Sequence, residues 1–489
     1  MLGIIIGFFS LLSTHTPAED HHSIALRDTV TLKHRAVKTQ ADSSGRFLEV
    51  NRIFIIGNRI TRDQIILREL SLKKGDIVYS TDLVSILDLD KKKLINTRLF
   101  NKVDIRTLVL DSMKVDLLVD LDERWYTFPA PIFELADRNF NEWWQNYGHD
   151  FRRVNYGLRL YQYNMRGRNE TMRFTAQFGF QRKFELLYRF PYIDKRQKHG
   201  LAIELGFLEA KNLAVRTQDH KYEFLKTDET LRVDRLAGLT YTYRKSFYKT
   251  HSVKVEYRNI NIADTVKRLN PDYIKGETNT RQEYTWIQYQ FNADHRDFFA
   301  YPLKGYQFLV GLTKTGIGAG DDVNKVEANL LYSKYFDLSK KYYLANNSVL
   351  FWSTPDDLSY ANYGALGLRK QFVRGYEVYV IEGPYYFLNK TTFKKLIFSN
   401  TYHWGDMPIE QFRHVPIAIY LKTYADLGYV KNYPDYENAG RNTSMTDQLL
   451  AGAGAGLDIV SSYDLVLRFE YSFTSNGTQG FFFNVKKEF

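Results

Sequence analysis

Two clusters of side chains in this 489-residue sequence have types and spacings suited to chemistry. The first is Asp294-His295-Arg296-Asp297, followed by Tyr301-Pro302 and Gly305. Two carboxylates and an imidazole are the groups of metal sites and of acid–base pairs. Neighbours on a strand point to opposite faces, however, so these residues cannot converge on one ion without a bulge. They read as a structural ion network. The second cluster is Val373-Arg374-Gly375-Tyr376. A guanidinium offers a rigid fork of donors that can pin a loop to a wall carboxylate bidentately, and the glycine beside it allows close backbone approach. The glycine strings Gly316-Ile317-Gly318-Ala319-Gly320 and Gly452 to Gly456 look like nucleotide fingerprints, but neither opens a helix in a βαβ unit, so neither cradles phosphate that way. His21-His22 lies in a polar stretch and reads as solvated.

The absence of cysteine removes disulfides, thiolate zinc sites, iron–sulfur clusters and thiol nucleophiles. There is no Gly-x-Ser-x-Gly elbow, no His-Glu-x-x-His and no cleft of paired carboxylates. The expectation is therefore a protein that is not an enzyme, with no cofactor and no metal. Lys and Arg number 67 against 56 Asp and Glu, a formal charge of +11. These cations are spread along the chain without a clustered stripe, which argues against nucleic acid and for a charged lumen or an anionic lipid surface.

The elements that must position these groups have a period of two. Met172, Phe174, Ala176, Phe178 and Phe180 alternate with Thr171, Arg173, Thr175, Gln177 and Gly179, and Leu465, Leu467, Phe469, Tyr471 and Phe473 repeat the pattern with Arg468, Glu470 and Ser472 between them. About sixteen such segments fit between Pro129 and Phe489. Aromatic residues make up 16% of the chain and gather near strand ends, while the alternate face carries Arg, Lys, Glu and Gln. A lipid-facing aromatic girdle around a wet lumen requires this arrangement, and the sequence predicts an antiparallel transmembrane β-barrel over 129–489.

Upstream, Leu2 to Leu12 is uncharged and too short to span a bilayer, and a small-residue cleavage point follows at Ala18, so residues 1–18 are expected to be a signal peptide. No Lys or Arg precedes Arg27, which leaves only the amino terminus to supply positive charge. Residues 19–46 are expected to be a polar linker. From Phe47 a compact α+β pattern begins. Val50, Arg52, Phe54 and Ile56 are expected on one face of a strand, and Thr61 with Gln64 makes a capping box for a helix bearing Ile65, Ile66 and Leu70. Ser80 or Thr81 caps a second helix bearing Leu83, Ile86, Leu87 and Leu94. Two more strands run through Val103 and Ile105 and through Val115 to Leu121. The predicted module is a three-stranded sheet covered on one face by two helices. It joins the barrel through a short segment around Arg124 to Phe128, and is expected not to influence barrel pairing.

Gly57-Asn58, Arg68-Glu69-Leu70, Gly75-Asp76, Asn96, Phe100 and Val103 make this module similar to a single POTRA domain, here 47–124. Behind it come the strand motif of Asp294, Arg296, Asp297, Pro302 and Gly305, then Val373-Arg374-Gly375-Tyr376, Asp426-Leu427-Gly428 and Gly454-Ala455-Gly456-Leu457. The last segment, with Phe481, Phe483 and the terminal Phe489, is similar to a closing barrel strand. In this order the motifs resemble the BamA/TamA-like superfamily of POTRA-bearing bacterial outer-membrane β-barrels. The resemblance implies a barrel in the outer membrane with its POTRA domain in the periplasm. It also implies that the long loop at about 353–393 folds into the lumen, with Arg374 against the wall near Asp426 and Gly428. The implied function is assembly, insertion or translocation of other proteins. Extended clients would be received at the POTRA domain, and the barrel would act through its lumen or through a seam between Ile132 to Asp137 and Phe481 to Phe489. The implied partners are those clients, outer-membrane lipid or lipopolysaccharide, and periplasmic or lipoprotein accessory subunits, with no nucleic acid. Two alternatives stand beside this reading: a dedicated two-partner-type secretion pore for one exported protein, and a diffusion porin. A lumen-filling loop argues against the porin.

Overall fold

The computed structural model describes residues 46–110, 113–135, 151, 154–367, 371–405, 407 and 410–487. The expected signal peptide, the linker up to residue 45, the seam residues 136 and 137 and the terminal Phe489 lie outside the described residues.

The first unit runs β1 (Phe47–Ile56), α1 (Asp63–Glu69), β2 (Ile77–Tyr79), α2 (Ser80–Asn96), β3 (Phe100–Val109) and β4 (Lys114–Glu123). Its sheet has four strands in the order β2-β1-β4-β3, not three, because Ile77–Tyr79 pairs antiparallel with Phe47–Glu49. The face expected for β1 also changes partway along it. A register shift between Val50 and Arg52 reverses the alternation, so Val50 is buried while Phe54 and Ile56 are 42% and 46% exposed. Neither helix is capped by a side chain. Thr61 Oγ1 lies 3.1 Å from the Tyr126 hydroxyl and accepts the Asn164 amide at 2.8 Å, so it serves the junction with the barrel and not the helix start. The apolar sets close two adjoining cores, one around Ile65, Ile66, Leu94, Phe100 and Val119, the other around Val50, Leu83, Leu87 and Val115. Leu83, Leu87 and Leu94 share the buried stripe of α2, as helical spacing requires.

Then follows a sheet of 16 antiparallel strands. Its first five are β5 (Thr127–Leu135), β6 (Val154–Met165), β7 (Glu170–Gly179), β8 (Gln181–Phe190) and β9 (His199–Ala210). A small hairpin, β10 (Asn212–Gln218) and β11 (Lys221–Lys226), interrupts it before β12 (Arg232–Arg244) and β13 (Lys249–Ile262). The short helix α3 (Asp264–Leu269) precedes β14 (Arg281–Asp294), β15 (Gly305–Thr315), β16 (Lys325–Asp337) and β17 (Tyr342–Thr354). The long connection 355–384 contains the two-residue strands β18 (Ala365–Leu366) and β19 (Ile381–Glu382). It is shorter than the loop expected at 353–393, because Tyr385 to Phe393 continue the alternation as wall. The sheet ends with β20 (Tyr385–His403), β21 (His414–Val430), the helix α4 (Pro434–Asn438), β22 (Leu449–Ser461), β23 (Leu465–Thr474) and β24 (Gln479–Lys487).

The period-two pattern decides what each face meets. Phe174, Leu205, Tyr257, Tyr289, Leu350, Phe387, Leu427, Tyr471, Phe481 and Phe483 stand exposed on the outside. No described helix is long and apolar enough to cross a membrane. The sheet curls back on itself: Phe128 on β5 packs edge-on against Tyr463, in the turn between β22 and β23, at 5.4 Å. Among the described residues no hydrogen-bonded ladder joins β5 to β24. Pro129 and Pro131, on the same side of β5, remove two backbone donors. Proline within sheets is confined to edge strands, strand starts and bulges, and β5 is an edge strand of this sheet.

Candidate functional site

The site is the lumen beneath the connection 355–384, where the wall strands β20 to β23 meet it. Alternation puts Lys390, Thr392 and Lys394 of β20, Lys422, Tyr424, Asp426 and Gly428 of β21, Asp458 of β22 and Arg468 and Glu470 of β23 on the inner face. The Val373-Arg374-Gly375-Tyr376 turn lies on this wall. Arg374 Nε donates to Asp426 Oδ2 at 2.8 Å and Nη2 to Oδ1 at 2.5 Å, while the Arg374 backbone N–H reaches the same carboxylate at 3.0 Å. Thr392 Oγ1 accepts a further bond at 3.0 Å, and the Tyr424 ring lies 3.9 Å beneath the guanidinium. The Arg374 and Asp426 side chains are 9% and 0% exposed, so this is a desolvated bidentate pair.

Glycines make the approach possible. A Cβ on Gly452 would stand 2.0 Å from the Arg374 carbonyl oxygen, and one on Gly428 would stand 2.5 Å from Val373 Cγ2. Gly375 has φ +98°, a conformation open to glycine, and its own Cβ would strike Thr474. Val373 and Tyr376 are fully packed in a core with Leu366, Ile381, Leu388 and Val430. The Gly452 to Gly456 string thus clears room for the turn and for the side chains of Tyr424 and Lys422.

The ionic contacts continue downward. Arg374 Nη1 lies 3.6 Å from Glu470 Oε1, Lys422 Nζ bridges Glu470 at 2.7 Å and Asp458 at 2.5 Å, and Tyr301 donates its hydroxyl to Asp458 at 2.8 Å. Tyr301 comes from the turn 295–304, below the barrel, which carries the other motif. There Arg296 holds Asp294 bidentately at 2.8 and 2.6 Å. His295 points away from both and stacks between Tyr248 and Tyr306. Asp297 ties off the turn by accepting the backbone N–H groups of Phe298 and Leu303. Gly305 has φ +104° and a Cβ there would meet the His295 carbonyl oxygen at 2.1 Å. Pro302, Arg296, Arg374 and Glu470 all line one cavity of about 330 Å³. The two motifs, about eighty residues apart in sequence, therefore meet at one place. Among the described residues no group of three His, Asp or Glu is placed to hold a metal.

Sequence reasoning missed Glu470, Lys422, Asp458, Thr392 and the reach of Tyr301. The signal for the wall residues was available: Lys422, Tyr424 and Asp426 share parity on β21, and Arg468 and Glu470 share it on β23. Phe481 and Phe483 are 64% and 49% exposed on the outer face of β24, next to the open edge and apart from the lumen cluster.

The first unit is clasped to the turns below the barrel and not merely tethered through 124–128. Glu69 receives Arg244 bidentately at 2.8 and 2.7 Å, with Arg68 on the same carboxylate at 2.8 Å. Burial pushes the Glu69 carboxyl up, but the hydrogen bond from Arg244 and the charge of Arg68 outweigh it and hold the group below the usual glutamate range. Arg124 and Arg98 both reach Asp464. The Asn96 amide donates to the Asp297 carbonyl at 2.8 Å and its oxygen accepts the Phe299 N–H at 3.1 Å. At the opposite mouth Glu382 accepts the hydroxyls of Tyr436 and Thr217 at 2.7 and 2.9 Å, joining three connections, and burial pushes its carboxyl up to about 7.

The Omp85 superfamily domain matches residues 164–489, and a POTRA domain, described as a surface antigen variable number repeat, matches residues 48–124. The chain belongs to the Omp85 superfamily. It is an outer-membrane β-barrel with one periplasmic POTRA domain, in a superfamily of insertion and translocation proteins. The crystal structure of BamA from Haemophilus ducreyi lacking POTRA domains 1–3 is similar at 15% identity and a TM-score of 0.51, over 90% of this chain and 85% of that one. CdiB from Escherichia coli is similar at 12% identity and a TM-score of 0.55, over 90% and 76%. At these identities the likeness is one of fold. No curated protein matches the chain at a significant level.

Proposed function

We propose that this Omp85 protein is an assembly factor that inserts or translocates other proteins at the outer membrane, with its POTRA domain receiving extended clients and the lumen loop responding. The observation that carries this reading is the contact of Asn96 with the turn 297–299, because that turn also sends Tyr301 into the lumen network ending at Arg374. Binding on the POTRA sheet can thereby bias a loop on the far side of the cavity through packed, hydrogen-bonded groups. The ten-residue strand β3 forms one edge of that sheet and offers a length suited to pairing with an extended client. The proline-bearing edge of β5 beside β24 is the place where the barrel wall would open to a nascent strand. Lipid, lipopolysaccharide and accessory subunits are further partners under this proposal.

Depletion in the native host followed by quantitative outer-membrane proteomics tests it. Broad loss of barrel proteins is the expected result, and loss of one exported protein with barrels intact would replace it with the dedicated secretion pore. The likeness to CdiB keeps that second reading in view.

A further inference from the structure

Two lysines of the lumen wall lack an anionic partner among the described residues. Lys390 and Lys394 stand four positions apart on the inner face of β20, and each ammonium rests on an aromatic face, 4.1 Å from the Phe372 ring centre and 4.0 Å from that of Tyr301. Lys394 is 7% exposed. Asp426 is engaged by Arg374, Asp458 and Glu470 by Lys422 and Asp294 by Arg296, while Glu377 accepts the Gly375 N–H on one oxygen and leaves its other, buried oxygen without a hydrogen-bond partner. Arg468 reaches Asp458 only at 3.8 Å, and its buried Nε has no hydrogen-bond acceptor. Lys394 is buried and Lys390 and Arg468 are half-buried, and three cations without a close carboxylate along one cavity favour an anion there.

That space is the cavity of about 330 Å³, roofed by Phe372 and Arg374, floored by Tyr301 and bordered by Asn484 of the terminal strand. Its volume suits one small ligand or headgroup and excludes a folded segment. We propose that the cavity binds a phosphate-class oxyanion held by Lys390, Lys394 and Arg468. The ring faces of Phe372 and Tyr301 keep the two ammonium groups in place without neutralising them, as cation–π contacts do. Because Phe372 precedes the Val373-Arg374 turn and Tyr301 ends the ionic chain from below, an occupied site would tie the loop and the turn 295–304 to one ligand.

The test uses the purified full chain in phosphate-free detergent, titrated with radiolabelled inorganic phosphate by equilibrium dialysis. One saturable site is expected, with Kd raised roughly tenfold in each of Lys390→Gln and Lys394→Gln, since each removes one charge-assisted hydrogen bond. The exposed Lys340→Gln should bind like the parent. Retained heat-modifiable migration in SDS gels shows that the variants are folded. Dihexanoyl phosphatidic acid, added as competitor, separates the two sources. Displacement of phosphate supports a lipid headgroup as the ligand and failure to displace supports the free anion, and both outcomes keep the site. Absence of saturable binding in the parent, or undiminished binding in the folded double variant, would overturn it.

Discussion

At the periplasmic rim Arg244 grips Glu69 bidentately end-on, through Nη1 and Nη2, and in the lumen Arg374 grips Asp426 bidentately side-on, through Nε and Nη2. The rim clamp joins two folding units across an interface, and its carboxylate is shared with a second arginine, Arg68. The lumen clamp joins a loop to a wall of the same unit, under an aromatic ring and against glycines that leave no room for adjustment. An arginine–carboxylate pair therefore carries different consequences in the two places. Losing one arginine at the rim leaves another on Glu69, whereas losing Arg374 leaves Asp426 buried, with its strongest partner gone.

The largest effect is expected from breaking the lumen clamp. Arg374→Ala should cost roughly 3 to 5 kcal/mol of loop docking, because the carboxylate left behind stays desolvated. Barrel insertion, read by heat-modifiable migration, should persist while complementation fails. Asp426→Ala on the Arg374→Ala background should add little. Independent, additive losses would show that the two residues do not act as a pair.

At the rim, Arg244→Ala should cost about 1.5 to 3 kcal/mol of POTRA docking, seen as faster proteolysis at the junction with the barrel intact. This clamp is also pH-dependent. The Glu69 pKa is lowered in the folded protein, so the stability it contributes is fully present above the ordinary glutamate value of about 4.5 and is lost as pH falls through the lowered value. Junction proteolysis should accelerate on acidification in the parent and respond much less in Glu69→Gln. Equal acid sensitivity in both would remove Glu69 as the titrating group.

A smaller loss, about 1 to 3 kcal/mol, should follow Gly452→Ala, which drives a methyl group into the Arg374 carbonyl. Loop proteolysis in Gly452→Ala should exceed that in a matched Gly477→Ala control. At Gly477 the added methyl meets nothing, although its positive φ carries its own backbone strain. The smallest effect belongs to Tyr301→Phe, about 1 kcal/mol, since Asp458 keeps Lys422 when the phenol is lost.

The two clamps also differ in how legible they were. Arg374 and Asp426 sit in short motifs beside glycines that carry the family resemblance, and that resemblance together with a guanidinium's need for a carboxylate partner let the lumen pairing be anticipated. Glu69 sits in the Arg68-Glu69-Leu70 motif, but nothing in the sequence marks Arg244 as its partner. They lie 175 positions apart in the sequence and meet only because a helix end docks on a barrel turn, a contact that period and propensity do not encode. The bulge near Asn51 was hidden for a related reason. A single extra residue reverses every later face of β1 without altering its composition. Sixteen strands were countable because each repeats the same alternation, while the short strand Ile77–Tyr79 is too brief to show a period.

Under the proposed function the POTRA domain influences the lumen loop through Asn96, the turn 297–299 and Tyr301. Hydrogen exchange of residues 371–384 tests it most directly, measured by mass spectrometry on the full chain as parent, Asn96→Ala, Tyr301→Phe and the two combined. Faster exchange of that segment in both single variants, with no further gain in the double, is the predicted result. Unchanged protection of 371–384 in Asn96→Ala, with Arg374→Ala exchanging fast in the same experiment, would contradict the coupling.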